Sequence, residues 1–180
     1  MLYFEKPGRA NTDAVVEAVC RRAEELGIGH LVVASNTGWT AEKFLNRGLK
    51  VVCVTHHVGY KAPGEDEMEP EARKKLREAG VEVLTTTHLL AGVDRALRMK
   101  FEGLYPAEIM ANTLKIFGQG VKVCVEVASM ALDAGLIPYG EEIIAVGGTG
   151  RGADAACVLV PHHASSFFET QVKEIICKPR

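Results

Sequence analysis

This 180-residue sequence lacks the features that mark several classes of protein. It has no apolar run near the roughly 18 residues that a membrane-spanning helix needs. Residues 1–8 show no signal-peptide core. The formal net charge is only −2, which gives no reason to expect nucleic acid or an anionic membrane as a partner. We therefore expect a cytoplasmic protein that binds neither nucleic acid nor membrane.

Cysteine and histidine form no disulfide or metal signature. The five cysteines are odd in number, widely spaced and without a CxxC pair, which indicates buried thiols in a reducing compartment. In the pairs His56-His57 and His162-His163, neighbouring side chains point to opposite sides of an extended chain, and no HExxH motif accompanies them. We expect no metal site. No Ser-His-Asp or Cys-His-Asn arrangement can be assembled either, so the catalytic residues stay unknown.

The patterns that are present alternate between strand and helix. At 47% hydrophobic residues, the chain suits a single domain over residues 1–180. Valines alternate as in a strand over 121–127, but the apolar run continues to Gly135, which favours a helix. The order predicts a three-layer α/β/α fold with a mainly parallel sheet, whose ligands bind at the carboxyl ends of the strands. Strands are predicted at 31–34, 50–55, 81–84, 142–146, 155–160 and 172–177, and helices at 12–26, 41–46, 70–78, from 106 onward and over 121–134.

A polar loop at residues 35–41 follows the first of these apolar strands and leads into a helix. Such a turn leaves unpaired backbone N–H groups and several hydroxyls at the helix start, where the helix dipole adds positive charge. This is a site for a phosphate group without a Walker lysine. Trp39 either stacks on an aromatic ligand or seals the edge of the core. The candidate ligand-binding residues here are Ser35, Asn36, Thr37, Gly38, Trp39, Thr40 and Ala41.

A second glycine-rich segment spans residues 147–154. It is no dinucleotide fingerprint, because a strand rather than a helix follows it. It is either a tight hairpin or a backbone wall that closes over a ligand, since glycine permits close approach. Arg151 would meet a phosphate or carboxylate, and Asp154 would accept a hydrogen bond from the ligand. The candidates here are Gly148, Thr149, Gly150, Arg151, Gly152, Ala153 and Asp154, joined by Thr55 and His56 after the strand at 50–55.

Two stretches of the sequence carry a resemblance to a known domain. The segment Val32-Val33-Ala34-Ser35-Asn36-Thr37-Gly38-Trp39-Thr40-Ala41, followed by Leu49-Lys50-Val51-Val52-Cys53-Val54-Thr55, resembles the C-terminal α/β domain of pyruvate kinase. In that domain a similar loop and the next strand form the regulatory sugar-phosphate site. The whole chain, including Asp133-Ala134-Gly135-Leu136-Ile137 and the ending Ile175-Ile176-Cys177-Lys178-Pro179-Arg180, is similar to a stand-alone pyruvate kinase α/β-domain-like family. Members of that family have been seen with flavin mononucleotide (FMN).

The resemblance implies binding of a phosphorylated small molecule, with FMN the favoured cofactor, at the strand–loop–helix unit of residues 31–45. It implies no pyruvate kinase activity, because that chemistry occurs in a separate barrel domain. Whether the protein is an enzyme stays open, and a weak flavin oxidoreductase is one reading. The alternatives are a non-enzymatic sensor for another phosphorylated metabolite, or a partner-binding domain with an empty loop. The apolar content would also suit a homo-oligomer.

Overall fold

The computed structural model describes residues 1–180, which form one seven-stranded sheet with six α-helices. None of the helices is both long and apolar enough to cross a membrane. In chain order the elements are β1 (Leu2–Phe4), α1 (Thr12–Leu26), β2 (His30–Ala34), α2 (Trp39–Glu42), β3 (Lys50–Thr55), α3 (Pro70–Glu78), β4 (Glu82–Thr85), α4 (Val93–Phe101), α5 (Pro106–Lys115), α6 (Gln119–Asp133), β5 (Ile143–Gly147), β6 (Ala155–Val160) and β7 (Gln171–Pro179).

The sheet is mainly parallel, as the sequence predicts. Its strand order is β1-β7-β6-β5-β2-β3-β4, and β6 alone runs against the others. Ala34 pairs with Val54 across β2 and β3, and Val33 pairs with Val146 across β2 and β5. The carboxyl ends of β5, β2 and β3 therefore lie side by side at one edge of the sheet. This edge brings together the two loops and the Thr55-His56 step that the sequence singles out.

Alternate side chains of the central strands enter two separate cores. Leu31 and Val33 of β2 face a cluster of 22 buried residues that includes the apolar face of α1. Val32 faces a second cluster of 17 buried residues that is built on α6. The strands are buried on both faces, which explains their nearly continuous apolar sequence. Helices thus cover both sides of the sheet, and the predicted three-layer α/β/α architecture is confirmed.

Several local predictions are confirmed and others are corrected. The stretch from residue 121 is helical, because α6 lays its apolar residues along one sheet face. The helix predicted at 41–46 is wrong beyond Glu42: α2 is four residues long, and the turn that follows holds Asn46 at a φ of 58°. The strand β1 has no counterpart in the prediction, because a three-residue edge strand has too short a pattern to recognise. All five cysteines are free, and four of them are buried.

Candidate functional site

The loop at residues 35–41 is tied to the sheet at its first residue. The Ser35 N–H donates to the Val54 carbonyl oxygen over 2.9 Å, which extends the β2–β3 pairing by one step. The Ser35 Oγ accepts hydrogen bonds from the N–H of Thr40 at 3.1 Å and from the N–H of Ala41 at 3.4 Å. Ser35 and Thr40 are buried. Ser35 therefore braces the loop from inside, and the hydroxyl and N–H donors expected of these residues are partly occupied within the protein.

The middle of the same loop keeps its donors free. The backbone N–H groups of Asn36, Thr37, Gly38 and Trp39 have no acceptor within the protein. Thr37 is exposed and Asn36 half-buried, so this part of the loop can be reached from solvent. Successive backbone N–H groups in a tight turn form an anion-binding concavity. The available donors thus lie at 36–39, which ends at Trp39, the first residue of α2.

Gly38 is required by the fold at this position. Its φ is 86°, in the left-handed region that favours glycine. A Cβ atom here would lie 2.9 Å from Cδ1 of Leu76 and 3.4 Å from Cε of Met68. The loop therefore rests directly on the apolar face of α3. A larger residue at position 38 would disturb this packing before it crowded any ligand.

Two cationic side chains lie over the ring of Trp39. The guanidinium carbon of Arg9 lies 3.8 Å from the ring centroid, and Nζ of Lys43 lies 4.9 Å from it, both within the range of a cation–π contact. Lys43 is neutralised by an ion pair with Asp13 at 2.8 Å. Arg9 has no carboxylate partner. The guanidinium of Arg9, which the sequence pattern did not point to, therefore lies over the side chain of Trp39, and the backbone N–H of Trp39 is one of the four free groups of the loop.

The glycine-rich segment 147–154 connects two strands, as predicted, and of the two alternatives the structure shows the hairpin, because β5 and β6 are antiparallel neighbours. It packs against the start of α1. The Ala153 N–H donates to Thr12 Oγ1 over 3.0 Å, and a Cβ atom at Gly152, whose φ is 73°, would lie 2.7 Å from the Arg9 Cα. The close approach that glycine permits is therefore used here to seat the protein's own N-terminal segment. Arg151 is exposed and forms no ion pair.

Asp154 has a clear role inside the protein. Its side chain is fully buried, and its Oδ2 accepts hydrogen bonds from the N–H of Gly8 at 2.8 Å and from the N–H of Thr149 at 3.1 Å. Oδ1 has no hydrogen-bond partner and lies close to Gly120 at the start of α6, where a Cβ atom would be 2.6 Å away. Asp154 thus fastens the segment that carries Arg9 onto the 147–154 loop. The hydrogen bond to a ligand that the sequence suggested stays a prediction.

His56 follows β3 and belongs to a polar cluster at the same edge. Its Nδ1 lies 2.6 Å from Glu67 Oε2, and its ring stacks on Tyr60 with the centroids 3.7 Å apart. The ring of His88, which follows β4, lies 5.3 Å away. Burial lowers the pKa of His56 below its ordinary value, and the bond to Glu67 opposes this shift only in part. The residue before His56, Thr55, is a buried threonine whose hydroxyl donates to the hydroxyl of Thr85 over 2.8 Å.

Behind this cluster lies a buried carboxylate that the sequence analysis missed. Glu126 of α6 is fully buried, accepts a hydrogen bond from the Leu90 N–H at 3.1 Å and forms an ion pair with Lys122. Its Oε2 lies 3.9 Å from Nδ1 of His88. Burial raises the pKa of Glu126, but His88 and Lys122 outweigh it and hold the pKa below its usual value. A lone carboxylate inside the apolar run of α6 is the signal that could have revealed it.

Two surface features bear on the choice of site. No group of three or more His, Cys, Asp or Glu side chains is arranged to hold a metal ion. A broad depression lies at the opposite edge of the sheet, between the end of α1 and the residues that precede β2 and β3, and it contains none of the candidate residues. We place the site at the carboxyl edge because the free donors and the unpaired cation lie there. The depression is lined by Arg21 and Arg47, but it lies at the amino ends of the parallel strands, whereas such folds bind their ligands at the carboxyl ends.

Comparison with known proteins gives the family. Residues 13–159 match the family model described as pyruvate kinase, alpha/beta domain, a range that includes the 35–41 loop and the 147–154 loop. The chain belongs to this family. The resemblance seen in the sequence is thereby confirmed as far as the pyruvate kinase alpha/beta domain.

Solved structures that are similar to the chain include pyruvate kinases. The Cryptosporidium parvum enzyme in complex with ADP is 16% identical, with a TM-score of 0.42 over 94% of this chain and 24% of that chain. A second structure of a C. parvum pyruvate kinase is 15% identical, with a TM-score of 0.42 over 82% of this chain and 22% of that chain. The chain therefore spans about a quarter of the length of the pyruvate kinases that it matches.

Proposed function

We propose that this protein binds a phosphorylated small molecule, FMN in the first place, with the phosphate on the 35–41 loop. The observation that carries the proposal is the set of free N–H groups at 36–39, together with the unpaired guanidinium of Arg9 over the ring of Trp39 in the same loop. A phosphate is a strong acceptor for both kinds of donor. Their position at the carboxyl edge of a parallel sheet is where such folds bind ligands.

The remaining parts of the ligand would lie toward the next strands. Thr55 ends the neighbouring strand β3 and His56 follows it, and Gly148 to Asp154 follow β5 on the other side. In this proposal Ser35 and Asp154 act as positioning residues, because their polar atoms already hold backbone N–H groups of the protein. The contacts to a ligand come instead from backbone groups, from Thr37 and from a nearby arginine.

The flavin part of the proposal is supported by the resemblance to FMN-associated stand-alone domains. A flavin ring needs an apolar slot with a few fixed hydrogen-bond partners, and its reactivity depends on groups near its nitrogens. His56, which follows the strand next to the 35–41 loop, is our candidate for such a group. We propose a binding protein with at most slow, unspecific flavin reduction by nicotinamide nucleotides, and phosphoryl transfer to ADP is no part of the proposal.

The second candidate is a sensor for another phosphorylated metabolite. It is favoured by the same donor set, because the N–H groups at 36–39 and Arg9 would recognise a phosphate whatever group carries it. Such a ligand would occupy the loop without the ring contacts near His56.

A visible absorption spectrum and a thermal shift series test the proposal. We expect the purified protein to show the two flavin bands, and added FMN to raise its melting temperature more than riboflavin does, because a ligand that binds only the native state stabilises it. If a sugar phosphate raises the melting temperature and FMN does not, the protein is a sensor for another phosphorylated metabolite and the FMN proposal is wrong. If no phosphorylated compound changes it, the proposal is wrong. Anaerobic mixing with NADH and NADPH then tests the redox part, and fast bleaching by one nucleotide would identify a reductase.

A further inference from the structure

The segment of residues 93–117 exposes an unusual amount of apolar surface. Seven large apolar side chains in this stretch of α4, α5 and their connection are between 50% and 77% exposed. No residue of α4 is buried, and Ala111 is the only buried residue of α5. The seven exposed residues are Val93, Met99, Phe101, Leu104, Ile109, Ile116 and Phe117.

The exposed apolar residues share one helix side in α5 only. Ile109 and the residue after that helix, Ile116, are seven apart and therefore lie along one side, whereas no residue of α4 is buried and its apolar side chains are exposed around much of the helix. The two helices pack on each other, and α5 packs on α6. A helix with an apolar stripe normally buries that stripe against another element. Here no element of the chain covers it.

We propose that this surface, residues 93–117, is the interface between two copies of this chain. If each of the seven side chains exposes on the order of 100 Å², the segment exposes about 700 Å² of large apolar side chains in all. That is close to the roughly 800 Å² per partner of a stable protein–protein interface, and it exceeds the few hundred Å² that monomers usually leave exposed. The area therefore suffices for a dimer.

The charges of the segment favour a second copy over a strongly charged partner. Residues 93–117 contain four basic and three acidic side chains, so two copies that meet here do not repel each other appreciably. Two of these seven charged residues, Arg98 of α4 and Glu108 of α5, already form an ion pair with each other. Nucleic acid or an anionic membrane would require a clear excess of positive charge. A two-fold interface uses the same apolar patch on both copies.

Sedimentation velocity on the wild-type protein and single variants tests this proposal. We expect a dimer in the wild type and a loss of at least tenfold in dimer affinity for Leu104→Glu, because a carboxylate would be buried at the contact. Ile116→Lys is a second, independent variant. Both positions are more than 70% exposed, so the monomer fold should persist, and far-UV circular dichroism verifies this. Phe168→Glu is the matched control, since Phe168 is 84% exposed but lies outside the segment.

The outcomes separate clearly. A wild-type protein that stays monomeric at about 100 μM overturns the proposal, since a specific interface of this size forms well below that concentration. Equal dissociation by Phe168→Glu and Leu104→Glu also overturns it, because the contact would then not be specific to residues 93–117. The measurement needs no ligand, so it stands apart from the proposal about FMN.

Discussion

Replacement of Arg9 by alanine separates two accounts of how the protein would hold a phosphate. The sequence points to Arg151 as the nearby cation, whereas the structure places the guanidinium of Arg9 over the ring of Trp39 in the 35–41 loop. Arg9→Ala and Arg151→Ala form a matched pair, because both side chains are exposed and neither has a carboxylate partner. We expect the Arg9→Ala variant, and not Arg151→Ala, to lose affinity for FMN.

The size of the effect can be worked out from the contact. Loss of one charge-assisted hydrogen bond costs about 1.5–3 kcal/mol, which is roughly 10- to 150-fold in Kd. Arg9 is exposed, so screening by water and salt places the expected loss near the lower limit, about tenfold. Arg151→Ala should change the Kd by less than about threefold. The cation–π contact with Trp39 contributes about 0.5–1 kcal/mol to folding, too little to unfold the variant.

Fluorescence titration with FMN and with riboflavin gives the required readout. The Arg9→Ala variant should lose affinity for FMN and keep its affinity for riboflavin, because the lost contact is to the phosphate. The difference should shrink at high salt. Equal losses for both ligands would mean that Arg9 only shapes the loop. A loss confined to Arg151→Ala would refute the reasoning from Trp39 and support the expectation from the sequence.

Three further predictions concern stability, each measured by urea unfolding. Gly38→Ala should cost about 2–4 kcal/mol, because the new Cβ meets an α3 leucine methyl carbon at 2.9 Å and φ is 86°; Gly140→Ala, with a φ of 78° and open space, should cost about 1 kcal/mol, and equal losses would contradict the packing argument. Asp154→Ala should cost about 1–3 kcal/mol, since two partly buried N–H groups lose their acceptor, and an unchanged midpoint would show that they find another. The folded-state pKa of His56 is lowered, so its contribution to stability is present above the unfolded value of about 6.5 and is lost as the pH falls through the folded value. His56→Gln should therefore lose less stability than the wild type between about pH 7 and pH 5, and an identical slope would count against this assignment.

Much of the fold was predictable because its signals are local. The apolar run of β3 and the Pro70 start of α3 were located within a residue, since a buried parallel strand and a proline-initiated helix have distinct patterns. The segment 147–154 was recognised as a connection between two strands because a strand pattern, and not a helix pattern, follows it. The end of α2 was misplaced, because helical periodicity cannot be distinguished from a sequence of turns over so few residues.

The candidate site was predictable only in part. The free N–H groups at 36–39 belong to a single loop between a strand and a helix, so the local sequence pattern could indicate them. Arg9 and Asp154 are different, because their partners Trp39 and Gly8 are distant in the sequence. No periodicity or motif records which remote segment folds over a loop. The same holds for Glu126, whose partners Leu90 and His88 lie on the loop after β4 and only Lys122 lies on its own helix.

The sequence by itself determined the order of strands and helices, the family and the edge of the sheet where ligands are expected, because these follow from periodicity and from residues adjacent in the chain. The tertiary structure alone decided which polar groups are free. It placed Ser35 and Asp154 in hydrogen bonds within the protein, left Arg9 unpaired above Trp39 and left the apolar sides of α4 and α5 uncovered. The physical reason is that a hydrogen bond or a contact depends on distance in space, and a buried polar group takes whichever partner the fold brings within about 3 Å.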